Sequence, residues 1–202
     1  MSPGAPDFAL APGRALPPQT PPLAAPRAAV AVAATGCGLL TARPLLVGLG
    51  VRPVAVLTPL FLALLAVSLL WPGPAAVRGG RGAGAVLLVG IGAFALGRFL
   101  SGGPAAVPSA TGFVIGMNTL AAVAEEAFFR RLVYGALSAA GPGAALVGSS
   151  VLFAAVLATV YGLWVLPLDL AAGLLLGWQR QATGSWAVPA VTHAVANLLV
   201  VL

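Results

Sequence analysis

The stretch NTLAAVAEEAFFRRLVYGAL, residues 118–137, sets two adjacent carboxylates, Glu125 and Glu126, in an apolar run. Arg130 follows about one helical turn later. A charged side chain at bilayer depth is energetically costly, so charges inside membrane segments are rare and usually serve a function. The whole chain has only four acidic residues. We therefore expect this segment to be a membrane helix that carries the central polar cluster of the fold.

The composition is that of a membrane protein. The 202 residues are 60% hydrophobic and 7% charged, with a mean hydropathy of +1.05, whereas soluble domains carry about 25% charged residues. Because backbone polar groups in lipid must be satisfied internally, we predict an all-α, polytopic transmembrane bundle. At about 20 residues per span, six to eight helices fit. All ten basic residues are arginine, and Ala, Gly and Pro are abundant. This bias suggests a GC-rich bacterial genome and hence a multi-pass protein of the bacterial plasma membrane.

The hydrophobic pattern divides the chain into a tail and one membrane domain. Residues 1–27 are rich in proline and lack apolar periodicity, which predicts a disordered tail. Residues 28–202 form the predicted integral membrane domain. Its expected helices cover 28–40, 53–71, 83–100, 111–139, 144–160, 163–180 and 185–202. Arg43-Pro44 should end or kink the first helix. The fourth is long enough to kink or split near the glutamate pair.

The positions of the arginines indicate whether the protein binds nucleic acid and how it is oriented in the membrane. The net charge of +6 is spread over arginines that stand singly or in pairs, which favours the positive-inside rule over nucleic-acid binding. With a cytoplasmic tail and seven spans, seven arginines fall inside, and Arg43, Arg52 and Arg98 fall outside. This topology brings Glu125 and His193 to similar depths from the cytoplasmic face. We expect membrane lipid around the protein and no nucleic-acid partner.

A second polar pair lies near the C-terminus. His193 is the single histidine, and Asn197 is one of two asparagines. Their i, i+4 spacing presents an imidazole and an amide to the same neighbouring helix. Two N–H donors directed at one point are what a developing oxyanion requires. Simple interhelical hydrogen bonding remains an alternative for this pair.

The two glutamates are expected to play different roles. Adjacent helical residues point about 100° apart, so Glu125 and Glu126 cannot share one face. Glu126 and Arg130 have the favourable i, i+4 spacing for an ion pair, which could be purely structural. Glu125 then has no partner within its own helix, and its carboxylate is the candidate general base.

These motifs resemble those of the CPBP intramembrane protease family, which contains type II CAAX prenyl endopeptidases and bacteriocin-processing or immunity proteins. E-E-x-x-x-R at 125–130 and TGSWAVPAVTHAVANLL at 183–199 carry the resemblance, which covers about 111–202. The resemblance implies that Glu125 activates water and that Glu126 and Arg130 organise it. It also implies that His193 and Asn197 stabilise the tetrahedral intermediate or bind a metal.

The second motif of the family, F-x-x-x-H, is incomplete. In SSVLFAAVL, residues 149–157, Phe153 aligns with the phenylalanine, but Leu157 stands where the histidine belongs. A divalent metal such as zinc would need about three protein ligands. Glu125, Glu126 and His193 are the candidates, yet the two carboxylates diverge on a helix. A tightly bound metal is therefore not expected.

Three functions remain open from the sequence. The first is an endopeptidase that cuts a peptide or membrane-protein substrate near the cytoplasmic face. The alternative is a catalytically inactive relative that acts as a membrane binding or immunity protein, which the substitution at Leu157 favours. A weaker alternative is a small proton-coupled transporter that uses Glu125 as its proton site.

Overall fold

The computed structural model describes residues 26–50, 52–72, 82–101 and 111–201. These residues are almost entirely helical and contain no β-strand, which confirms the all-α prediction. The helices are α1 (Pro26–Thr41), α2 (Arg43–Gly48), α3 (Pro53–Leu70), α4 (Ala83–Leu100), α5 (Gly112–Glu126), α6 (Tyr134–Leu137), α7 (Pro142–Tyr161), α8 (Leu166–Thr183) and α9 (Ala187–Val201). A π-helix, Ala127–Val133, joins α5 to α6, and 3₁₀ turns cover Ser138–Ala140 and Leu163–Val165.

The first predicted helix, 28–40, corresponds to α1, and the short helix α2 follows it. α1 ends at Thr41, and α2 begins at Arg43 with Pro44 in its first turn, where a missing N–H costs nothing. Helix α1 already begins at Pro26, two residues inside the predicted tail. The rest of that tail, the turn containing Arg78 and Arg81, and residues 102–110 lie outside the described residues.

The apolar helices identify a membrane protein. Among the described residues, four helical segments are long and apolar enough to span a bilayer: Pro53–Leu70, Ala83–Leu100, Gly112–Ala140 and Pro142–Tyr161. Arg27–Thr41 and Ala187–Val200 are shorter apolar helices. Large apolar side chains such as Leu70, Leu88 and Phe99 are exposed on the outside, as expected for a lipid-facing surface. The charged Glu126 and Arg130 side chains are instead fully buried.

The long segment Gly112–Ala140 changes its helical form directly after the glutamate pair. The α-helical hydrogen bonding of α5 ends at Glu126, and the π-helix starts at Ala127. Single π-helical turns inside longer helices are rare and often lie at functional sites. The predicted interruption near the glutamate pair is therefore a change of helical pitch within one continuous helix.

Aromatic rings fill the core around this segment. Phe128 and Phe129 are buried and meet edge to face, with ring centroids 5.0 Å apart. Phe129 makes the same type of contact with Phe153 of α7, at 5.4 Å. Leu40 of α1 and Phe61 of α3 belong to the same buried cluster. The core thus connects the N-terminal helices to the helix that carries the glutamates.

Close packing of α8 on α7 depends on Gly173 and Gly177. A Cβ atom added at Gly173 would lie 3.1–3.2 Å from the backbone of Ser150, and one at Gly177 would lie 3.2 Å from the Ser150 hydroxyl. The small-xxx-small motif at 173–177 is therefore a true packing face. The similar spacing at Gly112 and Gly116 is not, since nothing lies within 4 Å of a Cβ at either position.

We predict that Gly173→Leu destabilises the protein, because a leucine cannot fit against the α7 backbone and must push the helices apart. Overpacking of this kind costs about 1–3 kcal/mol. The measurement is thermal unfolding in detergent, compared with the matched variant Gly116→Leu, which should unfold close to the wild type. Equal melting temperatures for the two variants would contradict the assigned packing face.

Candidate active site

Glu126 is the centre of a buried ionic cluster. One carboxylate oxygen, Oε2, lies 3.2 Å from Arg130 Nε, and the other, Oε1, lies 3.0 Å from His193 Nδ1. The side chains of Glu126 and Arg130 have no solvent exposure. The structure therefore supports the predicted Glu126–Arg130 pair, and it brings α5 and α9 together as the two motifs required.

Arg130 is held on several sides. Its Nη2 donates to the carbonyl oxygen of Gly173 at 3.1 Å, and its guanidinium lies 4.6 Å from the ring centroid of Phe153. The carbonyl of Arg130, within the π-helix, accepts a hydrogen bond from Arg180 Nε at 3.0 Å. Arg180 in turn covers the ring of Tyr134. These contacts fix both ends of the residue to α7 and α8.

Glu125 has a different environment and a partner from another helix. Its Oε1 lies 3.1 Å from Arg43 Nη1, and the two side chains are only 7% and 9% exposed. Sequence spacing offers Glu125 no partner within its own helix and places Arg43 where the first helix ends or kinks. Local spacing could not identify this pair, because Arg43 lies 82 residues earlier, in α2.

Glu125 borders a cavity of about 750 Å³. Most of its lining is apolar, with Leu157, Leu168 and Leu176 among the contributors. The polar groups at its edge include Arg43, Asn118, Glu125, Asp169, His193 and Asn197. Ligand sites typically combine an apolar wall with a few convergent polar groups. This cavity has that character.

His193 reaches the cavity with one ring nitrogen already engaged. Because Nδ1 faces the Glu126 carboxylate, it carries a proton and donates to it. The other nitrogen, Nε2, is then the one that can meet a ligand. The Phe153 ring packs edge to face against the imidazole, with centroids 5.9 Å apart. The Glu126–His193 contact therefore orients the ring.

Asn197 lies on the same side of α9 and also borders the cavity. Its Nδ2 donates to the main-chain carbonyl of Asn118 at 3.3 Å. Asn118 itself donates from Nδ2 to Val114 O. His193 and Asn197 thus line the same cavity, as predicted, and the Asn197 amide is hydrogen-bonded to α5.

The described side chains do not form a metal site. No group of three or more His, Cys, Asp or Glu side chains suited to a metal occurs in residues 26–50, 52–72, 82–101 and 111–201. Each glutamate forms an ion pair with an arginine, and His193 Nδ1 contacts the Glu126 carboxylate. Catalytic zinc requires about three protein ligands. The residues present do not fit one.

Several lining residues were not predicted as site residues, among them the polar Arg43, Asn118 and Asp169. Arg43 and Asn118 gave no local signal, because their partners lie on other helices. Asp169 was expected at the membrane interface, but it borders the cavity, and its Oδ2 has no hydrogen-bond partner in the structure. The one signal in the sequence that could have identified Asp169 as a site residue is its acidic side chain within a largely apolar segment.

Comparison with known proteins agrees with the motifs. Residues 107–199 match the family model described as type II CAAX prenyl endopeptidase, Rce1-like. The matched segment contains both motifs and the α7 position occupied by Leu157. Searches of curated proteins and of solved structures gave no match. The match confirms the resemblance carried by the motifs: residues 107–199 are similar to the Rce1-like, type II CAAX prenyl endopeptidases.

Proposed function

We propose that this protein is an intramembrane endopeptidase in which Glu125 activates a water molecule against a peptide bond. The observation that carries the proposal is that Glu125 and His193 border one cavity, while Glu126 and Arg130 are buried behind them. The family match to CAAX endopeptidases supports peptide hydrolysis as the reaction class.

The chemistry can be written with the residues at hand. Glu125 takes a proton from water as the hydroxide attacks the carbonyl carbon, and the resulting oxyanion is stabilised by N–H donors. His193, held through Nδ1 by Glu126, offers Nε2–H when the ring is protonated, and the Asn197 amide is the second candidate donor. The C–N bond then breaks, and Glu125 returns its proton to the leaving amine.

The substrate proposed is a peptide or a membrane protein with an apolar segment. The largely apolar cavity wall suits a hydrophobic side chain or lipid group better than a free polar peptide. The distribution of arginines along the sequence favours a site near the cytoplasmic face of a bacterial plasma membrane, whereas Arg43 and Arg98, which the same topology places outside, line the cavity. A bacteriocin-type client fits such a location better than prenylated proteins, which most bacteria lack.

A catalytically silent binding protein is the second candidate. It is favoured by Leu157 at the motif position of a histidine, and by the arginine already paired with Glu125. Such a protein would use the cavity to hold a membrane partner without turning it over.

We predict that Glu125→Gln abolishes turnover, because the amide has the same shape but cannot accept the proton. The expected loss is about 10²-fold or more in kcat. Two internally quenched reporters serve as probes: a farnesylated CAAX peptide, and the same peptide with an apolar membrane segment in place of the prenyl group. Asp169→Asn makes the same change at another cavity carboxylate and should cost much less. Unchanged cleavage by Glu125→Gln, with its melting temperature preserved, would refute Glu125 as the base.

The variant Leu157→His separates the two candidate functions. If the wild type is a silent relative, restoring the motif histidine should raise turnover of the reporters at least about tenfold from background, because it adds a group able to position water. If the wild type is an enzyme adapted to leucine, the same change should leave kcat unaltered or lower it. Leu157→Asn, of similar volume but without imidazole, is the matched control. The readout is kcat on both reporters.

A further inference from the structure

We propose that Arg43 is a positioning residue for Glu125, supplied by the N-terminal helices to a site whose motif residues all lie within 107–199. The inference rests on the proposed function and extends it. Arg43 lies in α2, well before the segment that matches the family model. Its side chain nevertheless borders the same cavity as Glu125, Leu157 and His193.

The guanidinium is immobilised rather than loosely paired. Arg43 Nε donates to the carbonyl of Leu40 at 3.1 Å, and Nη1 contacts Glu125 Oε1 at 3.1 Å. The ring of Phe61 lies 5.6 Å from the guanidinium carbon. Contacts from α1, α3 and α5 therefore fix the planar group, so the carboxylate of Glu125 is held in one orientation.

One part of the guanidinium remains unused. Arg43 Nη2 is buried and has no hydrogen-bond partner in the structure. Buried donors are nearly always paired, because leaving one without a partner is energetically unfavourable. A donor left free at the edge of a cavity, next to a candidate base, can bind the attacking water or a substrate oxygen. This arrangement is not needed for an ion pair that only stabilises the fold.

The position of Leu157 explains why such a residue would be useful. Leucine can neither donate a hydrogen bond nor carry charge, and Leu157 borders the same cavity as Glu125. A guanidinium offers several donors in a fixed plane. Arg43 can therefore orient the Glu125 carboxylate and a bound water without any contribution from α7.

The experiment measures kcat and KM on the two reporters for Arg43→Met, Arg43→Lys and Arg43→His. Misplacement of a reacting group by about 1 Å costs about 10²-fold in rate, so Arg43→Met should lower kcat by about that factor with little change in KM. Arg43→Lys should recover part of the loss. In the background of Glu125→Gln, Arg43→Met should have a much smaller effect than in the wild type, because the carboxylate that it positions is gone. Arg52, exposed at the start of α3, provides the matched control Arg52→Gln, which should behave as wild type.

The variant Arg43→His adds a pH-dependent readout, which would not change if Arg43 only stabilised the fold. An imidazole loses its charge as pH rises through about 6.5, so Arg43→His should show an extra loss of kcat in that range. The other titratable groups at the cavity include Glu125, Tyr161, Asp169, His193 and Arg98, and the wild-type profile records their contribution. The additional fall in kcat must therefore appear in the ratio of the kcat of Arg43→His to that of the wild type, plotted against pH.

The outcomes separate this inference from the proposed function. Loss of activity in Glu125→Gln but wild-type kcat in Arg43→Met, at matched melting temperature, overturns the role of Arg43 and leaves the endopeptidase intact. An inactive wild type that gains turnover in Arg43→Met also overturns it, because Arg43 would then block the base. Activity that survives Glu125→Gln, or absence of turnover in all forms, removes the proposed function and this inference together.

Discussion

The guanidinium of Arg130 is fully buried. A buried charge needs an opposite charge and hydrogen-bond partners next to it, so the residues around Arg130 must provide them. Glu126 provides the counter-charge, Gly173 a carbonyl and Phe153 an aromatic face. Each comes from a different stretch of chain, so α5, α7 and α8 have to meet around one side chain. The glycine at 173 serves twice, since it also allows α8 to approach α7 closely.

The two neighbouring glutamates contact different parts of the helical bundle. Because successive helical residues point about 100° apart, Glu126 faces Arg130 and His193, while Glu125 faces Arg43 and the cavity. One carboxylate is thus enclosed by the helices of the C-terminal half. The other is contacted by the N-terminal helices. The division of labour proposed for them, one as base and one as anchor, follows from this geometry.

The parts of the fold that were predictable are those encoded in local pattern. The apolar run of α4 was expected at 83–100 and is observed as Ala83–Leu100, and the i, i+4 spacing of Glu126 and Arg130 anticipated their ion pair. The predicted topology brought His193 and Glu125 to similar depths, and the histidine contacts the neighbouring Glu126. The π-helix and the partner of Glu125 were not predictable, since both depend on tertiary contacts. Arg180 reaches the carbonyl of Arg130 across 50 residues, and Arg43 reaches Glu125 across 82.

The contact between Arg43 and Glu125 also affects how the protein can be dissected. A fragment trimmed to residues 107–199 would keep both recognisable motifs. It would lack the cation that faces Glu125, and the buried hydrophobic cluster would lose Leu40 and Phe61. Swapping the N-terminal helices between relatives would therefore change the surroundings of Glu125 along with the scaffold.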